Sequence, residues 1–344
     1  MSEPLPGPID PGALEALRRV GKSVAYAAGA VLMRQGSPAR GAFFLESGEL
    51  EARVALPGGG EIAVAGLGPG SLLGEMALLE HGTVSATVVA QSAVRAQFIE
   101  REDFRALVAQ RDAAVFKLQH MVTMVLVQKL RALNAKLHAC DVPEDQPAGA
   151  EPSDDPLAGM PRERAAPFDY RRFLPILPLF REFGDDDIGR VVAQSKLLEV
   201  PRGHWIFVAG QPVGSSWIVV RGAVEISARR GALRRRIAVL GPGQWAGAMS
   251  QLDGAAHGAS ARARENSLLL EVERPAFDAL YRAGDATSAR IQRAIQASLL
   301  QSLRRTNIQL SRLISQARIR GRRHAVPVED LQSALYGQLC HAAG

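Results

Sequence analysis

Gly68-Pro69-Gly70-Ser71-Leu72-Leu73-Gly74-Glu75-Met76-Ala77-Leu78-Leu79-Glu80-His81-Gly82-Thr83-Val84-Ser85-Ala86-Thr87 is the stretch that decides how this chain reads. A Gly-Pro-Gly turn opens it, helix formers fill its middle, and a glycine-containing loop leads on to Ser-Ala-Thr. The opening turn recurs as Gly241-Pro242-Gly243. Upstream, Ala28-Gly29-Ala30-Val31-Leu32-Met33-Arg34-Gln35-Gly36-Ser37-Pro38 recurs as Arg202-Gly203-His204-Trp205-Ile206-Phe207-Val208-Ala209-Gly210-Gln211-Pro212, and Phe43–Gly48 recurs as Trp217–Gly222. The offset is about 174 residues, the length of one domain plus a connection. Glycines and prolines in register over that distance mark an internal repeat.

Each copy reads as short strands followed by helix. Ala42–Leu45, Glu49–Ala55 and Ile62–Leu67 are brief, apolar or alternating, and bounded by Gly or Pro, the pattern of a small antiparallel barrel or jelly roll. After Glu102 the turn residues vanish, and Val122, Leu126, Leu130, Leu133 and Leu137 fall at helical spacings of three and four. Leu299, Leu303, Thr306, Leu310, Leu313 and Ala317 make a similar seam after the second copy. Asp141–Pro167 is rich in Pro, Ala, Gly and acids and carries no apolar period, so it reads as a flexible linker. Phe168–Phe183 reads as an entry helix and turn. The expected map is a first domain over 1–140, a linker over 141–167, a second domain over 168–320 and a tail over 321–344. The fold class is α+β: two antiparallel β-roll (jelly-roll) domains, each followed by a long helix.

Composition bounds the function. The 344 residues suffice for two cores, and 47% apolar residues is ordinary for globular protein. No uninterrupted apolar run of about 18 residues is present, so no membrane span is expected and a cytoplasmic protein is the default. Cys140 and Cys340 are far apart and lack ligand clusters, which points away from a zinc or iron–sulfur site. The net charge of +6, from 41 basic and 35 acidic side chains, is a modest excess. It is concentrated late: Ala286–Val328 holds nine arginines and no Asp or Glu, a basic stripe opposite the apolar seam.

The quoted stretch resembles the phosphate-binding cassette of cyclic-nucleotide-binding domains, the family of bacterial catabolite activator proteins and of the regulatory subunits of cyclic-AMP-dependent kinase. That pattern is Gly-Glu-apolar-Ala-Leu, a short loop, then Pro-Arg-Ser/Ala-Ala-Thr. The resemblance implies that Gly74, Glu75, Met76, Ala77, Thr83, Val84, Ser85 and Ala86 form the ligand site. Loop amides would face a cyclic phosphate. Glu75 would accept a hydrogen bond from the ribose 2′-hydroxyl, unless it only caps a short helix. The implied ligand is cyclic AMP, cyclic GMP or cyclic di-GMP.

Both copies depart from the pattern. Thr83-Val84 stand where Pro-Arg belongs, so the first copy lacks the phosphate arginine. The second keeps Gly247 but has Ala248 for Glu, and its loop Asp253–Ser260 reads as one residue longer, with His257 or Gly258 at the arginine position. Arg262 and Arg264 alternate with alanines just beyond. A charge-assisted phosphate contact is worth roughly 1.5–3 kcal/mol, so binding in the usual mode is expected to be weak. Trp205, Trp217 and Trp245 read as core residues.

Nothing in the chain groups a nucleophile with a base, a metal cluster or a P-loop, and the expectation is a non-catalytic regulatory protein. Its first domain would sense a small ligand and pass the change to a partner through its helices. Two alternatives stay open: a ligand-independent interaction scaffold, and a nucleic-acid binder using the arginine stripe. A protein partner or self-association through helices 113–139 and 290–317 ranks above nucleic acid, because no helix-turn-helix is evident after Leu313.

Overall fold

The computed structural model describes residues 10–55, 61–110, 113–139, 146–163 and 169–319. These fall into two compact units. One takes the chain up to Asp141 together with the residues from Leu299 onward, and the other takes Val142–Ser298.

The first unit opens with α1 (Pro11–Val20), where Asp10 is the N-cap: its Oδ1 accepts from the amides of Gly12 and Ala13. The strands are β1 (Lys22–Tyr26), β2 (Val31–Met33), β3 (Gly41–Ser47), β4 (Leu50–Ala55), β5 (Glu61–Leu67) and β6 (Leu72–Leu73). A short α2 (Met76–Leu79) precedes β7 (Thr87–Ala90) and β8 (Val94–Glu100), and α3 (Arg101–Gln110) and α4 (Ala113–Ala139) follow. Two antiparallel four-stranded sheets result, ordered β1-β8-β3-β6 and β2-β7-β4-β5. Alternation sets the inward face: Leu50, Ala52 and Val54 of β4 are buried, while Glu51 and Arg53 are only partly so. A second core joins Phe44, Leu72 and Leu78 to Val115, Leu118, Val122 and Val125 of α4, so the helices close the back of the roll.

The second unit repeats this plan. β9 (Gln146–Pro147) and β10 (Arg162–Glu163) come first, then 3-10 turns over Tyr170–Ile176 and Pro178–Phe180, and α5 (Asp185–Ala193). The expected entry helix is therefore two tight turns, since Pro175 and Pro178 withhold the amides that an α-helix would need. The strands are β11 (Lys196–Val200), β12 (Trp205–Phe207), β13 (Ser215–Arg221), β14 (Val224–Arg230), β15 (Leu233–Leu240) and β16 (Trp245–Ala246). After α6 (Ala248–Asp253) come β17 (Ser260–Ala263), β18 (Ser267–Glu273), α7 (Arg274–Tyr281) and α8 (Ala286–Ile319). The sheets are ordered β10-β11-β18-β13-β16 and β12-β17-β14-β15-β9. The repeat reaches the irregularities: bulges at Val31/Met33, Leu45/Ser47 and Ala52/Arg53 return at Trp205/Phe207, Val219/Arg221 and Ile226/Ser227.

In this unit Asp187 ties α5 to α8. Its carboxylate accepts from Thr287 Oγ1 at 2.6 Å and from Arg290 Nη1 at 3.1 Å, and the Gly184 amide donates to its other oxygen. Burial acts to raise its pKa, but these hydrogen bonds and the charges of Arg290 and Arg190 outweigh it and hold the carboxyl below the ordinary aspartate value.

The flexible linker is a correction. Of Asp141–Pro167, residues 146–163 are described, and they are strapped to the second roll. β9 pairs with β15 and β10 with β11. Leu157 is buried in the roll's core beside Phe207 and Trp217. The Gln211 side chain donates to Asp154 O, His204 Nε2 donates to Pro156 O, and Arg162 Nε donates to Glu271. One leucine and a few polar anchors order the strap without any apolar period, which is why its composition imitates a linker. Cys140, Cys340, Leu310, Leu313, Ala317 and the expected 321–344 tail fall outside the described residues or side chains.

Candidate functional site

The first cassette starts where β6 meets Gly74, whose φ is +76°. A Cβ there would lie 2.8 Å from Gly41 O, so glycine is required twice over. Met76 and Ala77 begin α2, and Glu80 closes it by donating its amide to Met76 O. The loop is then zipped to the 35–39 segment. Ala39 N donates to Gly82 O, Val84 N to Ser37 O, Gly36 N to Val84 O, and Gln35 N to Thr87 Oγ1. Thr83 bridges Pro38 and is exposed, Val84 and Ser85 are half-buried, and Ala86 is buried. The eight expected site residues thus lie together along one turn and loop.

Glu75 does not cap α2 through its side chain, and it has a partner that the sequence did not announce. It stands at the N-cap of α2 but makes no side-chain cap bond. Its Oε1 instead meets Lys129 Nζ of α4 at 2.5 Å, with the two side chains 1% and 3% exposed. The ribose acceptor of the cassette pattern is therefore already ion-paired. Lys129 was overlooked in the sequence, yet it lies four residues after Val125 and three after Leu126, on the buried face of the seam. A lone cation on that face needs a buried anion.

Arg101 was also overlooked. Only 4% exposed at the start of α3, it donates through Nε to Ala77 O and through Nη2 to Ala39 O, and its Nη1 meets His81 Nδ1. It fixes α2, the cassette loop and the 35–39 segment to one another. A third contact comes from α8, where Arg304 pairs with Glu80 at 2.6 Å and Thr306 Oγ1 donates to Asn134 of α4 at 3.4 Å. These α8 residues belong to the first unit. Each long helix of that unit therefore meets the cassette through a charge.

The second cassette is in strict register with the first. Gly210 N donates to His257 O and His257 N to Gln211 O, repeating the Gly36–Val84–Ser37 pattern, while Ala209 N donates to Ser260 Oγ as Gln35 N does to Thr87. The extra loop residue expected from the sequence is absent, and His257 alone holds the arginine position. It is buried, stacked on Phe207 with centroids 4.1 Å apart and tilted against Trp217 at 6.2 Å. A Cβ on Gly247 would lie 3.3 Å from His257 Cε1, so the imidazole lies against the cassette glycine. Aromatic rings and Leu157 fill this roll. Arg262 and Arg264 point outward: Arg262 donates to Gly203 O and lies over Trp205, and Arg264 faces Glu225. Trp217 and Trp245 are core residues, whereas Trp205 is half-buried beneath arginines.

The family model described as "Cyclic nucleotide-binding domain" matches residues 23–111 and again 197–283. This chain belongs to the cyclic nucleotide-binding domain family. "Glutaminase 2" of Bradyrhizobium diazoefficiens is 32% identical over 129 residues, which are 38% of this chain and 20% of that protein. The "Cyclic AMP receptor protein" of Thermus thermophilus is 31% identical over 112 residues, 33% of this chain and 50% of that one. The chain thus spans half or less of the length of these relatives. The regulatory domain of Toxoplasma gondii PKA, crystallised with cAMP, is 20% identical with a TM-score of 0.33, covering 84% of this chain and 90% of its own. Among the described residues, no helix of these tandem cyclic nucleotide-binding domains is long and apolar enough to cross a membrane, and no group of three or more His, Cys, Asp or Glu is placed to hold a metal.

Proposed function

We propose that the protein is a non-catalytic regulator whose first domain senses a cyclic nucleotide or a related small anion and signals through its helices. The observation that carries this reading is the buried Glu75–Lys129 pair, which places the cassette's ribose acceptor in the grip of α4. A ligand hydroxyl reaching Glu75 competes with Lys129, and loss of the pair frees α4. The neighbouring Glu80–Arg304 pair gives the distal part of α8 a stake in the same α2. The output is a change in the helix surfaces offered to a protein partner or to a second copy. Residues in the roles of ligand contacts are Gly74, Glu75, Met76, Ala77, Thr83, Val84, Ser85 and Ala86.

One observation favours the scaffold alternative: Glu75 is already neutralised and Val84 supplies no phosphate cation, so the ligand-free state is complete in itself. The basic stripe gives less support to nucleic acid, since Arg290, Arg293 and Arg304 are paired with Asp187, Glu182 and Glu80.

Calorimetry separates the first two readings. Val84→Arg places a guanidinium at the arginine position, and cyclic AMP, cyclic GMP and cyclic di-GMP are titrated into wild type and variant. Affinity for a cyclic mononucleotide is expected to rise by about ten- to a hundredfold, the equivalent of one charge-assisted contact. A folded variant that binds none of the three supports the scaffold.

A further inference from the structure

We infer that Arg234 and Ser260 of the second roll, beside the Trp205 ring, form an anion site that Glu151 of the strap occupies in the resting chain, and that its intended ligand is a phosphate. Glu151 Oε1 accepts from Ser260 Oγ at 3.0 Å and from Arg234 Nη2 at 3.2 Å. The side chains of Glu151 and Arg234 are 10% and 11% exposed, and Ser260 is fully buried. Arg234 also lies over the Trp205 ring at 4.5 Å, which fixes the plane of its guanidinium.

The occupant does not saturate the site. Arg234 Nε is buried and has no hydrogen-bond partner among the described residues, an unsatisfied donor on a charged group. The guanidinium presents its donors as a fork, of which Nη2 serves one Glu151 oxygen and the Gly149 carbonyl at 3.3 Å while Nε is left over. A phosphate carries more acceptor oxygens than Glu151 offers, and it matches Nε together with Nη2. The site is distinct from the cassette position held by His257: it lies on β15 and β17, and Ser260 stays anchored there because its Oγ accepts from Ala209 N. On its N-terminal side Glu151 is tethered by the short β9–β15 pairing, by the Ala148 amide donating to Ala232 O at 2.7 Å, and by Arg234 Nη2 donating to Gly149 O at 3.3 Å, all within a few residues of chain. The strap therefore acts as a resident carboxylate that an external phosphate displaces.

The test uses the full chain, with inorganic phosphate in one arm and cyclic AMP in the other, titrated by calorimetry. Glu151→Ala is expected to bind the ligand of at least one arm about tenfold or more tighter than wild type, and adding Arg234→Gln is expected to abolish that gain. Binding in the phosphate arm identifies the ion as sufficient, and binding in the cyclic AMP arm alone identifies a phosphate carried on a nucleotide. Excess ligand is also expected to speed amide exchange at 146–151 in wild type. Should Glu151→Ala unfold, Glu151→Gln keeps the shape without the charge and is read by the same exchange. The proposal is overturned if the folded variant binds neither probe, if Arg234→Gln leaves the gain intact, or if exchange at 146–151 is unmoved.

Discussion

Lys129→Met is expected to destabilise the first unit by about 3–5 kcal/mol, because it leaves the Glu75 carboxylate buried without its cation. The pair is almost wholly removed from water, so solvent screening offers little relief. Replacing both partners, as Glu75→Leu with Lys129→Met, is expected to recover most of that loss, since an apolar pair carries no desolvation cost. A four-member urea series provides the measurement. All three tryptophans, Trp205, Trp217 and Trp245, are in the second unit, so their fluorescence follows that unit while far-UV circular dichroism follows both. The single variant should move the dichroism transition to lower urea ahead of the fluorescence. A cost below about 1 kcal/mol, the range of exposed pairs, would show that the pair is solvated.

Arg101→Met is expected to cost about 3–5 kcal/mol and to loosen the cassette. It leaves the carbonyls of Ala77 and Ala39 and the ring of His81 without their shared donor, and hydrogen bonds to charged groups are worth roughly 1.5–3 kcal/mol each before non-additivity. Hydrogen exchange localises the effect: protection should fall across residues 77–84 while β3 and β8 keep theirs. Unchanged exchange in 77–84 would mean that the 35–39 zipper holds the loop unaided.

Much of this architecture was legible because glycine and proline positions are dictated by the backbone. Gly74 and Gly247 need positive φ, and Gly68-Pro69-Gly70 and Gly241-Pro242-Gly243 mark equivalent turns. The repeat in these residues is a repeat of backbone shape, and even the bulges follow it. The cassette was legible as a stretch of backbone and less so in its side-chain contacts. The cassette residues are contiguous, whereas Lys129 and Arg101 are 54 and 24 residues away from their partners Glu75 and Ala77. Lys129 could have been found as the charge on an apolar helix face. Arg101 carried no such signal, being one of several charges in Glu100-Arg101-Glu102-Asp103. The stacking of His257 left no trace in the sequence, because its partners Phe207 and Trp217 lie on strands about 50 and 40 residues earlier in the chain. The strap escaped because Leu157 and Glu151, which anchor it, sit among prolines, glycines and acids that leave no periodic trace.

The central claim is that Glu75 is shared between Lys129 and a cassette ligand, so that latch and ligand exclude each other. Titration of cyclic AMP into Val84→Arg and into Val84→Arg with Lys129→Gln tests it directly. Freed of its cation, Glu75 gains most from a ribose hydroxyl, and the double variant should bind about tenfold or more tighter, the equivalent of about 1.4 kcal/mol. Equal or weaker binding by a folded double variant, or no binding by either protein, would contradict the account.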